Sequence, residues 1–165
     1  MNTIIQANLN TLQKVFFLLS NLSDQILSDD SIPPYYSSVG SHIRHVLDFY
    51  DCILKSDQIF DLTARCRDLE VETNCESALK YLSILEERLL SLGDLDLKKE
   101  VTVLDDLGVG KEKINYTYSA LLAQANSHAI HHYAIINYIL DGLKITINDT
   151  NFGYNPTTPK SINLN

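Results

Sequence analysis

Four stretches of this chain carry apolar residues at a spacing of three or four positions, and that period constrains the fold more than any other feature of the sequence. From Asn2 to Ser28 the series is Ile5, Leu9, Leu12, Val15/Phe16, Leu19, Leu22 and Ile26, one stripe of a long helix that Asp29, Asp30, Pro33 and Pro34 stop. A second helix is predicted from an N-cap at Ser37 or Ser38 to about Lys55, with Ile43, Val46/Leu47, Tyr50 and Ile53/Leu54 facing inward. Gly40 falls in its first turn, at a small cost in helix propensity. The third helix opens on Thr73-Asn74-Cys75-Glu76, a capping-box pattern, carries Ala78, Leu82, Leu85, Leu89 and Leu92 as its stripe, and closes at Gly93. The fourth runs from about Ser119 to Asp141 and ends before Gly142.

Between Lys98 and Tyr118 the apolar period shortens towards two, in Glu100-Val101-Thr102-Val103-Leu104 and Lys113-Ile114-Asn115-Tyr116-Thr117-Tyr118, which flank a turn-prone Asp-Asp-Leu-Gly-Val-Gly segment. This predicts a small β-hairpin. The connection from about Ser56 to Glu72 is rich in charge, at Arg65, Arg67, Asp68, Glu70 and Glu72, and reads as a solvated crossover with at most a short helical turn. Lys144 to Asn165 has no periodicity and reads as a tail. The expected architecture is therefore all-α: a four-helix bundle with a small β-hairpin between the third and fourth helices, in a single domain 1–165 whose core spans about 4–141, followed by an irregular tail 142–165.

The 165 residues suit one domain, and a compact chain of this length buries about 68–70% of the surface its unfolded form exposes, so neither disulfides nor a structural metal are needed for folding. A formal net charge of −8, with 13 scattered basic residues, disfavours nucleic acid and anionic membranes as partners. Cys52, Cys66 and Cys75 are odd in number and contain no C-x-x-C pair, the pattern of reduced thiols. With no basic leader, and with Val15 to Leu19 as the longest apolar run, a cytoplasmic protein is expected.

All five histidines fall in two clusters, Ser41-His42-Ile43-Arg44-His45 and His128-Ala129-Ile130-His131-His132. On the last helix His128 and His132 lie within the apolar arc drawn by Leu121, Leu122, Ala125, Ala129, Ile135, Ile136, Ile139 and Leu140, while His131 lies to one side. Two imidazoles at i, i+4 stand one above the other, with Cβ atoms about 5–6 Å apart, and can reach one cation. Two polar rings in an apolar stripe are costly unless a metal or hydrogen bonds satisfy them. On the second helix, periodicity leaves the third ligand open between His42, nearer the apolar centre, and His45, at the edge beside Phe49 and Cys52. Cys52 reads as a small buried hydrophobe rather than a thiolate. No G-x-S-x-G, phosphate-binding glycine loop or H-E-x-x-H is present.

A helix reading Ser-x-x-His-Ile-x-His followed by a carboxylate, with a His-x-x-x-His late in the chain on the last helix, resembles the DinB-like superfamily of metal-binding four-helix bundles. The resemblance covers roughly Ile4 to Asp141 and implies His45, His128 and His132 as the metal ligands, choosing His45 over His42. It implies a divalent ion, zinc or nickel first and iron or manganese next, with an open position for water, and a homodimer. It also implies a metal-dependent hydrolase, or a transferase using a low-molecular-weight thiol, acting on a small-molecule substrate. Three neutral imidazoles leave such an ion an unfilled position, and zinc brings the pKa of bound water to about 7.

Asp48, one turn beyond His45, and His42 are candidates for the outer shell that orients the ligands. Tyr116 and Tyr118 are candidate cleft walls, and His131 and Tyr133 are peripheral. Where a common form of the family motif has Arg-Gly-Gln after the last histidine, this chain has Tyr133, Ala134 and Ile135, which separates its substrate chemistry from that branch. The alternative reading is a non-catalytic metal-binding or dimerisation bundle. Arg65-Cys66-Arg67-Asp68 suits an anionic substrate, but nothing in the sequence places it at the histidines.

Overall fold

The computed structural model describes residues 2–55, 59–93 and 95–158; Ser56 at the start of the charged connection and residues 159–165 of the tail lie outside the described residues. The elements are α1 Thr3–Leu19, α2 Asp24–Leu27, α3 Val39–Leu54, β1 Ile59–Asp61, α4 Leu69–Thr73, α5 Cys75–Leu90, β2 Glu100–Asp106, β3 Lys111–Thr117 and α6 Tyr118–Gly142. The expected all-α four-helix bundle is overturned: among the described residues the chain forms six helices and a three-stranded sheet, a mixed α/β architecture. The long helices do pack on one another, α3 against α5 and α6 and α1 against the same two. What all-α patterning misses is the third strand.

That strand comes from the charged connection. Ile59-Phe60-Asp61 pairs in parallel with Thr102-Val103-Leu104, and β2 pairs antiparallel with β3 in the predicted hairpin, Val103 opposite Ile114 and Val101 opposite Tyr116. The hairpin loop turns through Gly108 and Gly110, at φ of 86° and 123°. Phe60 and Leu62 are buried, and Phe60 stacks on Tyr118 with centroids 5.4 Å apart. A segment three residues long, with one inward side chain, offers too little alternation for periodicity to detect.

The first helix ends nine residues early because polar side chains terminate it: Ser20 Oγ and Asn21 Nδ2 donate to the carbonyls of Phe16 and Phe17, each at 2.7 Å. Ser23 then caps α2, whose Asp24 accepts from Cys75 N–H at 2.8 Å and Asn74 Nδ2 at 3.1 Å. A carboxylate is thereby held at the N-terminus of α5, where the helix dipole favours it. The cap of α5 itself is Asn74, accepting from Ser77 N–H at 2.9 Å, one residue later than the capping-box pattern expects; Thr73 instead donates to Leu69 O within α4. Helix α5 ends at Leu90, before Gly93.

Of the two candidate caps of α3, Ser37 and Ser38, it is Ser38 that accepts from Ser41 N–H, at 3.0 Å. Gly40 is more than tolerated. A Cβ there would stand 1.9 Å from the Glu72 carbonyl oxygen, so glycine is what lets α4 approach the first turn of α3. After α6 the described part of the tail packs back on the helices: Phe152 is buried against Tyr133, ring centroids 4.9 Å apart, and Lys14 pairs with Asp149 at 3.3 Å. No helix among the described residues is long and apolar enough to cross a membrane.

Candidate metal centre

Packing of α3 on α6 brings the two histidine clusters together. His45 Nε2 and His128 Nε2 stand 2.9 Å apart, and the ring of His132 lies with its centroid 4.5 Å from that of His45 and 4.6 Å from that of His128. One nitrogen from each of the three rings lies within 4.8 Å of the other two, so the three can hold a metal ion. Nitrogens about 2.0–2.1 Å from a tetrahedral zinc are about 3.4 Å from one another, which this spacing accommodates. All three rings are half-buried.

The surroundings keep these imidazoles neutral. Burial, followed by the Arg65 charge, pulls His45 down to about 3 and His128 to about 4; burial, followed by the His45 and His128 rings, pulls His132 to about 2. A neutral ring presents a lone pair, the form in which histidine binds metal. Phe49 stacks on His128 at 4.6 Å and 26°, fixing the plane of that ring.

His42 faces the other side of His132, with Nδ1 to Nδ1 at 2.9 Å, while its Nε2 meets Ser37 Oγ at 2.8 Å. The reverse assignment, Ser37 donating to His42 Nε2 and His42 to His132 Nδ1, also satisfies the row, but the one compatible with ligation has His132 donate from Nδ1 to His42 Nδ1 and His42 donate from Nε2 to Ser37 Oγ. His132 then has Nε2 free for an ion. The candidate outer-shell role of His42 thus has a geometry, and the wheel's alternatives, His42 and His45, both reach the cluster by opposite sides of His132.

Asp48 does not join that shell. It is fully buried, and its carboxylate accepts from Arg44 Nη1 at 3.1 Å, Arg67 N–H at 3.0 Å and Tyr81 OH at 3.3 Å, with no hydrogen bond to either histidine. Its spacing from His45 is right for one helix face, but a cation from its own helix and a loop amide from outside claim it first. The consequence is to hold the Arg65–Asp68 segment, in which Arg67 sits at φ 57°.

That segment is the part of the site that sequence reasoning left unplaced. Arg65 Nη1 lies 3.1 Å from His45 Nδ1, and its Nε donates to Leu62 O at 3.2 Å. Leu62 in turn continues the parallel pairing, its N–H donating to Leu104 O at 2.9 Å. The arginine reaches the histidines because β1 exists, which no periodic signal announced. Gln124, one turn before His128 on the same face of α6, has a buried Oε1 without a hydrogen-bond partner among the described residues, and was also missed.

The remaining candidates fall away from the cluster. His131 is exposed and meets only the edge of His132, with centroids 5.3 Å apart. Tyr118 is buried and donates to Ile53 O at 2.9 Å, Tyr116 packs against the core beside the sheet, and Tyr133 donates to Thr11 O at 3.1 Å on the α1 side. Cys52 is buried with its thiol pushed up to about 11 by that burial, as suits a small hydrophobe.

No family model matches the chain, and no curated protein or solved structure matches it significantly.

Proposed function

We propose that this chain is a divalent-metal-dependent enzyme acting on a small molecule, with His45, His128 and His132 as ligands and one or more positions of the ion open to substrate, as in the DinB-like proteins its histidine pattern resembles. The observation that supports the reading is the approach of His45 Nε2 to His128 Nε2 at 2.9 Å, between residues 83 positions apart in sequence, with His132 completing a neutral trio. Zinc or nickel suits three imidazoles. The bound ion would supply Lewis acidity, towards water for hydrolysis or towards the sulfur of a low-molecular-weight thiol for group transfer.

The protein's own part is to hold the ligands. Ser37 and His42 set the tautomer of His132, Phe49 sets the plane of His128, and burial suppresses protonation of all three rings. Metal analysis of protein purified without an affinity tag tests the reading: one divalent ion per chain is expected, lost in H128A/H132A. Absence of a bound ion, or occupancy that survives the double substitution, would refute it. Titrating glutathione or bacillithiol into cobalt-loaded protein then separates the reactions, a changed visible spectrum favouring the transferase and an unchanged one the hydrolase.

A further inference from the structure

Arg65 is placed as few surface arginines are. It is half-buried, its Nε is anchored on Leu62 O, and its Nη1 is aimed at a ring nitrogen of the histidine trio. It has no carboxylate within 4.0 Å among the described residues, whereas Arg44 on α3 is committed to Asp48 at 3.1 Å and Glu72 at 2.7 Å. Among the described residues its polar partners are a carbonyl and an imidazole, neither of which carries a negative charge.

Two physical arguments follow. A divalent ion on three neutral imidazoles would bring two positive charges beside a guanidinium that has no carboxylate within 4.0 Å among the described residues, and the three-histidine group includes no acidic ligand, the nearest influence of that sign being the Asp105 charge felt at His128. Partly buried cations in such a cluster are costly unless an anion joins them. The second argument concerns one proton. A guanidinium has only donors, so the 3.1 Å contact makes His45 Nδ1 an acceptor and puts that ring's proton on Nε2, where it faces His128. Ligation through Nε2 moves the proton to Nδ1 of the same neutral ring, and Nδ1–H has nothing to donate to in a guanidinium. With a metal on Nε2 the Arg65–His45 contact would give way, leaving the Nη donors of Arg65 to another acceptor next to the histidines.

We infer that Arg65 is the substrate-anchoring residue of this centre and that the substrate is a small-molecule carboxylate, its carboxyl group held by the Arg65 guanidinium next to the ion. This rests on the metal-dependent reading above and names its substrate class. A planar carboxylate matches the two parallel N–H donors of a guanidinium. A single guanidinium without a carboxylate partner among the described residues suits a monoanion better than a phosphate dianion, because the other arginines bonded at α3, Arg44 and Arg88, are already paired with carboxylates.

The test uses the full chain loaded with cobalt(II), read by its visible spectrum, with acetate and inorganic phosphate as separate probes. Acetate should shift the spectrum saturably, and R65Q should weaken acetate binding about tenfold or more, with R65K recovering part of the loss through charge alone. R65Q should bind cobalt at least as tightly as the natural protein, since the donor competing for His45 Nδ1 is gone, and this readout is independent of any activity. Equal acetate affinity in R65Q and the natural protein, or phosphate binding in place of acetate, would overturn the inference while leaving the metal centre standing. Failure of both proteins to bind cobalt would overturn the metal centre itself, and the inference with it.

Discussion

His45 and His128 present their Nε2 atoms to each other at 2.9 Å across the contact between α3 and α6. Two ring nitrogens at that distance need either one proton or one cation between them. Replacing one ring removes a ligand and leaves the other facing a gap. H128A should therefore lose more than about 100-fold in zinc affinity, beyond the 10–100-fold that outer-shell changes cost, measured by competition with a chromophoric chelator. Retained affinity in H128A would exclude His128 as a ligand.

His42 touches His132 and Ser37, and no other part of the trio. H42A should lower zinc affinity by about 10–100-fold, because His132 loses the acceptor that holds its proton on Nδ1. H42Q, whose amide can still accept, should recover part of it, and S37A should weaken binding less than H42A. Equal affinities in all three variants would remove His42 from the orienting row.

The three ligand candidates titrate well below the ordinary 6.5 of histidine, at about 3, 4 and 2 for His45, His128 and His132. The unfolded chain takes up protons at these rings as the pH falls through 6.5, and the folded chain does not. Stability of the chelator-treated protein is then full above 6.5 and declines progressively as the pH falls towards 4. Urea midpoints should show a shallower decline over that window in H128A/H132A than in the natural protein. Parallel pH profiles would mean that the rings protonate freely in the folded state.

Gly40→Ala tests the contact between α3 and α4. Alanine gains about 1 kcal/mol in helix propensity over glycine. The added Cβ would lie 1.9 Å from the Glu72 carbonyl oxygen, a backbone atom that cannot rotate away. The clash should dominate, with a net destabilisation of about 1–3 kcal/mol in chemical denaturation, the range of overpacked sites. A neutral or stabilising substitution would show that α4 moves aside at little cost.

Asp48→Ala removes the fully buried carboxylate that receives Arg44, the Arg67 amide and Tyr81. Stranding part of a buried ion pair costs about 3–5 kcal/mol, of which Glu72, still bonded to Arg44 at 2.7 Å, offsets some. The Arg65–Asp68 segment should also become sensitive to limited proteolysis. Unchanged stability together with an uncleaved segment would mean that β1 and Leu62 hold this region without Asp48.

The stripes of α3, α5 and α6, the Ser38 cap, the hairpin and the pairing of His128 with His132 were all legible in the sequence, because each depends on residues a few positions apart. The same local logic failed where polar side chains interrupt an otherwise continuous stripe, as Ser20 and Asn21 do between α1 and α2. It also failed at Asp48, whose helical position predicts a histidine partner but whose carboxylate binds an arginine, a loop amide and a tyrosine.

What the sequence determined by itself is the presence of four long helices and of a histidine pair on one face, since backbone period and side-chain polarity are short-range properties. Only the tertiary structure decided that the chain is mixed α/β, that His42 and His45 approach His132 from two sides, and that Arg65 reaches His45. Each of these depends on a contact between segments brought together by packing: β1 against β2, α3 against α6, and the connection folded back over α3. Such contacts are selected by burial and by competition for hydrogen-bond partners across the whole chain, and no window along the sequence contains both sides of them.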